Sequence, residues 1–252
     1  MRLLLLCVSF ALLGAQSQHF EGTAYAGAKA VFKEEHFRFA DATGVSTQLV
    51  LYRCPSDQPF ARKWVRDVVN SEAPDFELVD ARTGYREGVR TVAGRREAFV
   101  QTDRNSALRT VVLPARADPV IDAGFDAFVS NRWNELDDPD KGRMAFVVPS
   151  RLGYLDMRIK STDLETLDGE PVRRVRLGLD TWYGFVAPTI DLLYASSDHS
   201  VRRFEGLSNL LDARGRRQAV RIEFPVSAVF PAPTQQEIDR AAALSLSDSC
   251  PP

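Results

Sequence analysis

The sequence has few of the side chains that metal and thiol chemistry require, with three cysteines and three histidines among 252 residues. It lacks any apolar run of the ~20 residues that a membrane-spanning helix needs. Its formal net charge is −2, so the basic excess of a nucleic-acid-binding protein is missing as well. The composition, 44% hydrophobic and 26% charged, excludes a disordered or disulfide-dense chain. We therefore expect a packed protein without a nucleic-acid partner or a transmembrane anchor.

The first seventeen residues have the layout of a secretory signal peptide. A positive charge at Arg2 precedes an apolar run over residues 3–13, and small residues follow at Ala15 and Ser17. The run is too short to remain as a membrane span. Of the 32 basic residues, 27 are arginine, which is typical of a GC-rich bacterial genome. We therefore predict that residues 1–17 are cleaved and that the protein is exported to the periplasm.

Removal of that segment leaves two cysteines, Cys54 in a turn and Cys250 in a polar C-terminal tail. In an oxidising compartment such a pair can form one disulfide, which would join the tail to the domain. Two unpaired thiols are the alternative, because sequence alone does not show whether the sulfurs meet.

Most of the remaining chain alternates apolar and polar residues with a period of two, as antiparallel strands with one buried face do. In residues 30–40, Phe37 and Phe39 share the apolar face, while Glu34 and His36 lie on the face expected to meet solvent. The predicted strands span residues 30–40, 45–53, 60–69, 76–81, 95–102, 108–113, 154–160, 172–179, 190–195, 201–205 and 219–224.

One segment departs from this pattern. Asp118 suits an N-cap, Pro119 suits the first helical position, and residues 120–136 place their apolar side chains on one broad helical face. A weaker helix is predicted over residues 235–244. The predicted fold is α+β and mostly antiparallel β, a large curved sheet or half-barrel wrapped around the central helix at about 120–136. We divide the chain into a single β-rich domain, residues 18–233, and a C-terminal helix and tail, residues 234–252.

Two stretches resemble a family of uncharacterised exported proteins from Gram-negative bacteria. They are residues 122–129 (Asp-Ala-Gly-Phe-Asp-Ala-Phe-Val) before Trp133 and residues 203–209 (Arg-Phe-Glu-Gly-Leu-Ser-Asn) before Asp212. The overall plan is similar to the lipoprotein-localisation-factor fold, a bent antiparallel sheet partly closed over helices and an apolar cavity. Those carriers place their helices earlier and later in the chain than the central helix predicted here. The resemblance implies export and brings no assigned reaction.

The short motifs of common enzyme classes are missing from the sequence. Residues 206–210 (Gly-Leu-Ser-Asn-Leu) lack the second glycine of a nucleophile elbow, and neither a phosphate-binding loop nor paired zinc cysteines occur. The acidic run at 137–142 does not space its oxygens as a calcium loop does, so we interpret it as a turn. Glu34 and His36 would supply only two ligands to a metal. We therefore predict no catalytic residue, no metal and no cofactor.

The predicted central helix places two charged side chains, Arg132 and Asp122, within its apolar face. A buried charge without a partner is costly, so each must be paired, hydrated or in contact with a ligand. One interpretation is a buried polar network. The other places Arg132 at the back of an apolar cavity, facing the anionic head of a lipid or acyl chain. A separate apolar stretch near Trp182 would be a lid or a covered sheet edge. The candidate ligand-binding residues are Arg132, Asp122, Phe125, Phe128, Trp133, Trp182 and Tyr183.

These observations favour a non-enzymatic periplasmic protein that binds an apolar or amphipathic ligand, or a lipidated partner, inside the curved sheet. A structural or interaction protein of the cell envelope with a fully packed core is the alternative, and a hydrolase is third. The volume of any cavity beneath the sheet distinguishes the first two hypotheses.

Overall fold

The computed structural model describes residues 17–181, 189–212 and 215–250. Sixteen strands and two α-helices occur in these ranges. The strands are β1 (Gln18–Ala26), β2 (Lys29–Ala40), β3 (Ser46–Arg53), β4 (Pro59–Arg66), β5 (Asp75–Asp80), β6 (Tyr85–Val92), β7 (Arg95–Gln101), β8 (Arg109–Val112), β9 (Pro119–Ile121), β10 (Arg143–Val148), β11 (Gly153–Leu167), β12 (Glu170–Leu179), β13 (Ile190–Ala195), β14 (Val201–Leu211), β15 (Arg217–Glu223) and β16 (Val229–Phe230). The helices are α1 (Gly124–Asn131) and α2 (Gln235–Ala243).

All sixteen strands belong to one sheet, in the order β8-β7-β6-β5-β4-β3-β2-β1-β15-β14-β13-β12-β11-β10-β9, with β16 beside β1. The pairings are antiparallel except that of β9 with β10. Most strands pair with their neighbours in sequence, and β1 pairs with β15, so the two halves of the chain join at the centre of the sheet. The predicted mostly antiparallel sheet is confirmed.

Irregular pairing bends this sheet. The register shifts between Ala24 and Tyr25 in β1 and between Ile159 and Ser161 in β11, and such bulges increase local twist and curvature. Side chains of β4–β7 then pack against side chains of β9 and β10, from the opposite end of the strand order. The sheet therefore curves until its two ends face each other, without closing by hydrogen bonds between strands β8 and β9.

The C-terminal helix covers part of the outer face of the sheet. Thr234 and Glu237 form a capping box that starts α2, and the predicted helix over 235–244 is confirmed. Its buried Ile238 packs with Phe37 and Phe39, on the outward face of β2. The inward face of β2 is therefore the one that carries its polar side chains. Beyond α2, the structure joins Cys54 and Cys250 in a disulfide, with their Cα atoms 5.4 Å apart.

The predicted central helix is wrong at both ends. Pro119–Ile121 forms β9, whose apolar residues pair with β10 and are buried there. Asp122 has a φ of 46°, a left-handed conformation that separates this strand from the helix. The helix itself, α1, has eight residues, and a 3₁₀ turn over Trp133–Glu135 follows it. The apolar residues at 120 and 121 fit either a helix face or a buried strand, so periodicity did not separate the two.

Besides β9 and the two-residue β16, three strands, β1, β6 and β10, were not predicted, each for a different reason. β1 has little apolar alternation. In β6 the charged Glu87 is 1% exposed and interrupts the apolar pattern. In β10 the run Met-Ala-Phe-Val-Val is continuously apolar and has no period of two.

Candidate functional site

A cavity of about 220 Å³, which we call the interior cavity, lies between the start of α1 and the inner face of the sheet. One wall is mostly apolar and comes from α1, β10 and β12–β15. The opposite wall is polar and comes mainly from β2–β4 and the residues preceding α1. The apolar wall includes Phe125, Phe146, Leu192, Val201, Phe204 and Ile222, and the polar groups include Glu34, His36, Gln48, Lys63, Asp122 and Asn209.

The exposed residues among those that line the cavity mark its mouth. Leu207 is 43% exposed, and the side chains of Arg38 and Asp126 are 37% and 33% exposed. Deeper in, the side chains of Glu34 and Asp122 are 10% and 7% exposed. The cavity therefore has an open end beside Arg38 and a buried polar end beside Asp122.

His36 lies in the polar wall, where both ring nitrogens have partners. Its Nδ1 is 2.7 Å from Nε2 of Gln48, and its Nε2 is 3.1 Å from Oε2 of Glu34. Because the Gln48 amide donates to Nδ1, the ring proton belongs on Nε2, from which it is donated to the Glu34 carboxylate. Glu34 and His36 share a face because they are two residues apart on β2. A neutral His36 imidazole therefore satisfies both of these hydrogen bonds, one with Gln48 and one with Glu34.

Aromatic packing isolates the same imidazole from water. The ring of Phe20 stacks on His36 with centroids 4.6 Å apart, and Phe224 approaches edge-on at 5.5 Å. This burial lowers the pKa of His36 below its ordinary value, despite the opposing effect of the Glu34 carboxylate. His36 is therefore held as a neutral group in the wall of the cavity.

Lys63 and Asp122 form a buried ion pair at the deep end. The Lys63 ammonium lies 2.8 Å from Oδ2 of Asp122, and Asn209 donates to Oδ1 of the same carboxylate at 2.8 Å. Burial alone would lower the pKa of Lys63, but the charges of Asp122 and Glu34 outweigh it and raise that pKa above its ordinary value. Lys63 is therefore a permanently charged group and the counter-charge of the Asp122 carboxylate.

The backbone at Asp122 is itself unusual. Its left-handed φ of 46° costs free energy for a residue other than glycine, although aspartate tolerates it better than most. Immediately afterwards, a Cβ on Gly124 would lie 2.1 Å from the carbonyl oxygen of Glu72. The segment that delivers Asp122 to the cavity is thus fixed by close packing of α1 against the loop before β5.

A second polar group lies at the mouth. Asp126, in the first turn of α1, accepts a hydrogen bond of 2.9 Å from the Tyr194 hydroxyl and lies 3.6 Å from the Arg38 guanidinium. Burial and the neighbouring carboxylate raise the pKa of Tyr194 well above its ordinary value, so the hydroxyl remains a donor. These contacts join α1 to β2 and β13 across the opening.

The structure brings only part of the predicted ligand-binding set to the interior cavity. Asp122 and Phe125 line it. Phe128 is fully buried in the hydrophobic core, and Trp133 stacks on His199 at 3.9 Å, away from the cavity. Trp182 and Tyr183 lie outside the described residues.

Arg132 does not occupy the position predicted for it. Because α1 ends at Asn131, the Arg132 side chain leaves the helix face, pairs with Glu72 at 2.7 Å and covers the Phe128 ring at 4.0 Å. It borders a separate polar cleft of about 510 Å³ that also contains Asp118 and Lys141. The prediction that Arg132 faces an anionic head inside an apolar cavity is therefore wrong. For Asp122, the buried-network interpretation describes the observed bonds.

Most polar residues of the cavity were missed because β2 was interpreted the wrong way round. Glu34 and His36 were expected to face solvent, and Lys63, Gln48 and Asn209 were not singled out. The evidence that could have found them is the C-terminal helix. An amphipathic helix needs an apolar partner, and the Phe37 face of β2 provides one, which turns the other face inward.

No model of a known protein family matches the sequence, and no curated protein matches it either. Among solved structures, a β-barrel-like protein of domain of unknown function DUF1849 from Brucella abortus is similar, with 8% identity and a TM-score of 0.47 over 83% of this chain and 95% of that one. A DUF1329 family protein from Desulfovibrio piger has 8% identity and a TM-score of 0.31, with 91% of each chain covered. LprF from Mycobacterium bovis has 14% identity and a TM-score of 0.28, with 87% of this chain and 89% of that one covered.

Two further observations concern anchoring and metals. Within the described ranges, neither helix is long and apolar enough to cross a membrane. In the same part of the chain, no three histidine, cysteine, aspartate or glutamate side chains are grouped as a metal site requires.

Proposed function

We propose that this protein binds a small amphipathic ligand in the interior cavity and acts in the periplasm as a binding protein without catalytic activity. The observation that carries the proposal is the cavity of about 220 Å³, with an apolar wall on one side and fixed polar groups on the other. Ligand sites of this kind combine an apolar lining with a few well-placed polar groups. The Cys54–Cys250 disulfide supports the oxidising compartment.

The position of α1 explains how space remains beneath the sheet. Phe125, Phe128 and Val129 pack against inward side chains of β10–β13, so the helix fills one side of the concavity. On the other side, polar groups such as His36 and Gln48 line the remaining space. In this proposal the sheet is a half-barrel around α1 that keeps a binding space beside the helix.

The volume limits the ligand. At about 220 Å³ the cavity lies below the roughly 300–1,000 Å³ of pockets that take drug-sized ligands. A short alkyl chain or a single ring fits within this space. The longer chain of a lipidated partner would have to extend through the mouth beside Arg38 and Leu207. The proposal therefore favours a small molecule as the ligand.

The open cavity also supports ligand binding over the alternative of an envelope protein with a packed core. In a packed core, voids larger than a water molecule are few. Here Val201, Phe204 and Ile222 present apolar surface to an unfilled space beside a buried ion pair. A purely structural role gives no reason for that arrangement.

The proposal is tested by native mass spectrometry of protein purified from the periplasm. We expect a non-covalently bound small molecule on the wild-type protein. Val201→Trp, which fills the cavity from its apolar wall, should remove the bound molecule while the far-ultraviolet circular dichroism stays unchanged. Leu164→Trp is the matched control, because Leu164 is 80% exposed and does not border the cavity.

Retention of the same bound mass by Val201→Trp would show that the molecule sits elsewhere. A wild-type protein that neither carries a ligand nor takes up 1-octanol would contradict the proposal itself.

A further inference from the structure

We infer that the interior cavity selects ligands whose polar group is a cation or a hydrogen-bond donor, and discriminates against ligands that end in a carboxylate. This inference rests on the proposed function and specifies the chemistry of its ligand. It also reverses the anionic head group that the predicted position of Arg132 implied.

The charges that line the cavity do not cancel. Two carboxylates, Glu34 and Asp122, lie at the deep end with one ammonium, that of Lys63. Asp126 and Arg38 form the second pair, at the mouth. Three negative charges against two positive ones leave one net negative charge on the wall.

His36 adds no positive charge to this sum. Its Nδ1 accepts a hydrogen bond from Gln48, and its Nε2 donates to Glu34, which together describe a neutral ring. The stacked ring of Phe20 and the edge of Phe224 exclude the water that would stabilise an imidazolium.

One carboxylate oxygen remains for a ligand. Oε2 of Glu34 accepts from His36, whereas Oε1 has no hydrogen-bond partner within the part of the chain that the structure describes. Both oxygens of Asp122 are already used, by Lys63 and by Asn209. A ligand ammonium or hydroxyl group can donate to the open oxygen of Glu34. A ligand carboxylate there would be repelled by two like charges in surroundings that screen them poorly.

The two positive groups are poorly placed to reverse this preference. The Lys63 ammonium is 2.8 Å from Asp122 and serves as its counter-charge. Arg38 lies at the mouth, with its guanidinium 5.2 Å from the Phe20 ring centroid and its charge opposed by Asp126. The phenyl rings in the apolar wall, among them that of Phe204, further favour a cation through their negative faces.

The test is calorimetric titration of the purified protein at pH 7.5 with three probes that share one chain: octylamine, 1-octanol and octanoate. We expect octylamine to bind at least about tenfold more tightly than octanoate, with 1-octanol between them. Equal affinities, or tighter binding of octanoate, would overturn the inference and leave the proposed function standing. Failure of all three probes to bind would instead contradict the proposed function.

A substitution at Glu34 tests whether this residue causes the preference for octylamine over octanoate. Glu34→Gln should reduce the ratio of octylamine to octanoate affinity by about tenfold and leave 1-octanol nearly unchanged. Glu77→Gln is the matched control, because Glu77 is 39% exposed, pairs with Arg86 and lies outside the cavity. An unchanged ratio in folded Glu34→Gln would overturn the role of Glu34. Should that variant not fold, the wild-type ranking of the three probes decides the inference alone.

Discussion

The ion pair between Lys63 and Asp122 gives the sharpest test of the cavity as described. The two side chains are 13% and 7% exposed, and their charged atoms are 2.8 Å apart. At an effective dielectric constant of about 20, two unit charges at that distance attract by about 6 kcal/mol, against a burial cost of several kcal/mol for each ion. Lys63→Met keeps most of the length of the side chain and leaves the Asp122 carboxylate without its counter-charge. Removing one partner of a buried pair typically costs about 3–5 kcal/mol, and we expect a loss of that size.

The assay is urea denaturation of the oxidised protein at pH 7.5, followed by tryptophan fluorescence. Lys33→Met is the matched control, because Lys33 and Asp57 are 38% and 67% exposed and lie 3.5 Å apart at the surface. We expect this control to change the free energy of unfolding by less than about 0.5 kcal/mol. Adding Asp122→Asn to Lys63→Met removes the orphaned charge, and asparagine tolerates the left-handed backbone there, so most of the lost stability should return.

Two results would refute this reasoning. A loss of less than about 1 kcal/mol in Lys63→Met would mean that water reaches Asp122 freely and that the deep end of the cavity is not enclosed. A double variant less stable than Lys63→Met alone would mean that the two side chains act separately.

Three further predictions concern other parts of the fold. Replacing Cys54 and Cys250 with serine should lower the free energy of unfolding by several kcal/mol, up to about 5 kcal/mol in the chain-entropy model for a separation of 196 residues. A reductant should lower the urea midpoint of the wild type but not that of the variant. Gly124→Ala should lower the free energy of unfolding by roughly 1–3 kcal/mol and lower the thermal midpoint, because its Cβ would lie 2.1 Å from a backbone oxygen. The control Gly153→Ala, whose Cβ would lie 3.9 Å from its nearest neighbouring atom, should have little effect on the thermal midpoint. Folding lowers the pKa of His36, so the unfolded chain takes up that proton first as the pH falls. The difference in the free energy of unfolding between wild type and His36→Gln should therefore be constant above about pH 6.5 and shift against the wild type below it. A pH-independent difference would contradict the assignment of a neutral His36.

The sheet could be predicted from sequence wherever one face of a strand meets the core and the other meets water. β2, β3 and β12 lie within one or two residues of their predicted bounds for this reason. Alternation is lost where a strand is apolar throughout, as β10 is, or where a charged residue such as Glu87 is buried in it. Alternation in sequence reflects a difference in polarity between the two faces of a strand, and the two faces of these strands differ little in polarity.

The boundaries of α1 depend on contacts between residues far apart in sequence, which a local sequence pattern does not show. The apolar residues of β9 are buried because β10 lies beside them in the folded sheet, and β10 is more than twenty residues away in sequence. Only that pairing decides between strand and helix. The short α1 that remains is stabilised by its packing against the sheet, since eight residues form a marginal helix alone.

Only two residues of the candidate site were predicted. Asp122 and Phe125 were named from the face of the predicted helix, and both line the interior cavity. Lys63 and Glu34 come from different strands, and only the curvature of the sheet brings them to the same space as Asp122. A one-dimensional pattern identifies residues that need partners, but it does not identify the partners.

The account is tested most directly by mapping where a small amphipathic molecule binds. Two-dimensional nuclear magnetic resonance of the labelled protein, titrated with 1-octanol, should show saturable shifts for Ile190, Phe204 and Ile222, which border the interior cavity. Val226 and Val229, which are 61% and 58% exposed on the outer surface, should stay unchanged. Shifts confined to those surface residues, or shifts that never saturate, would contradict a binding site inside the sheet.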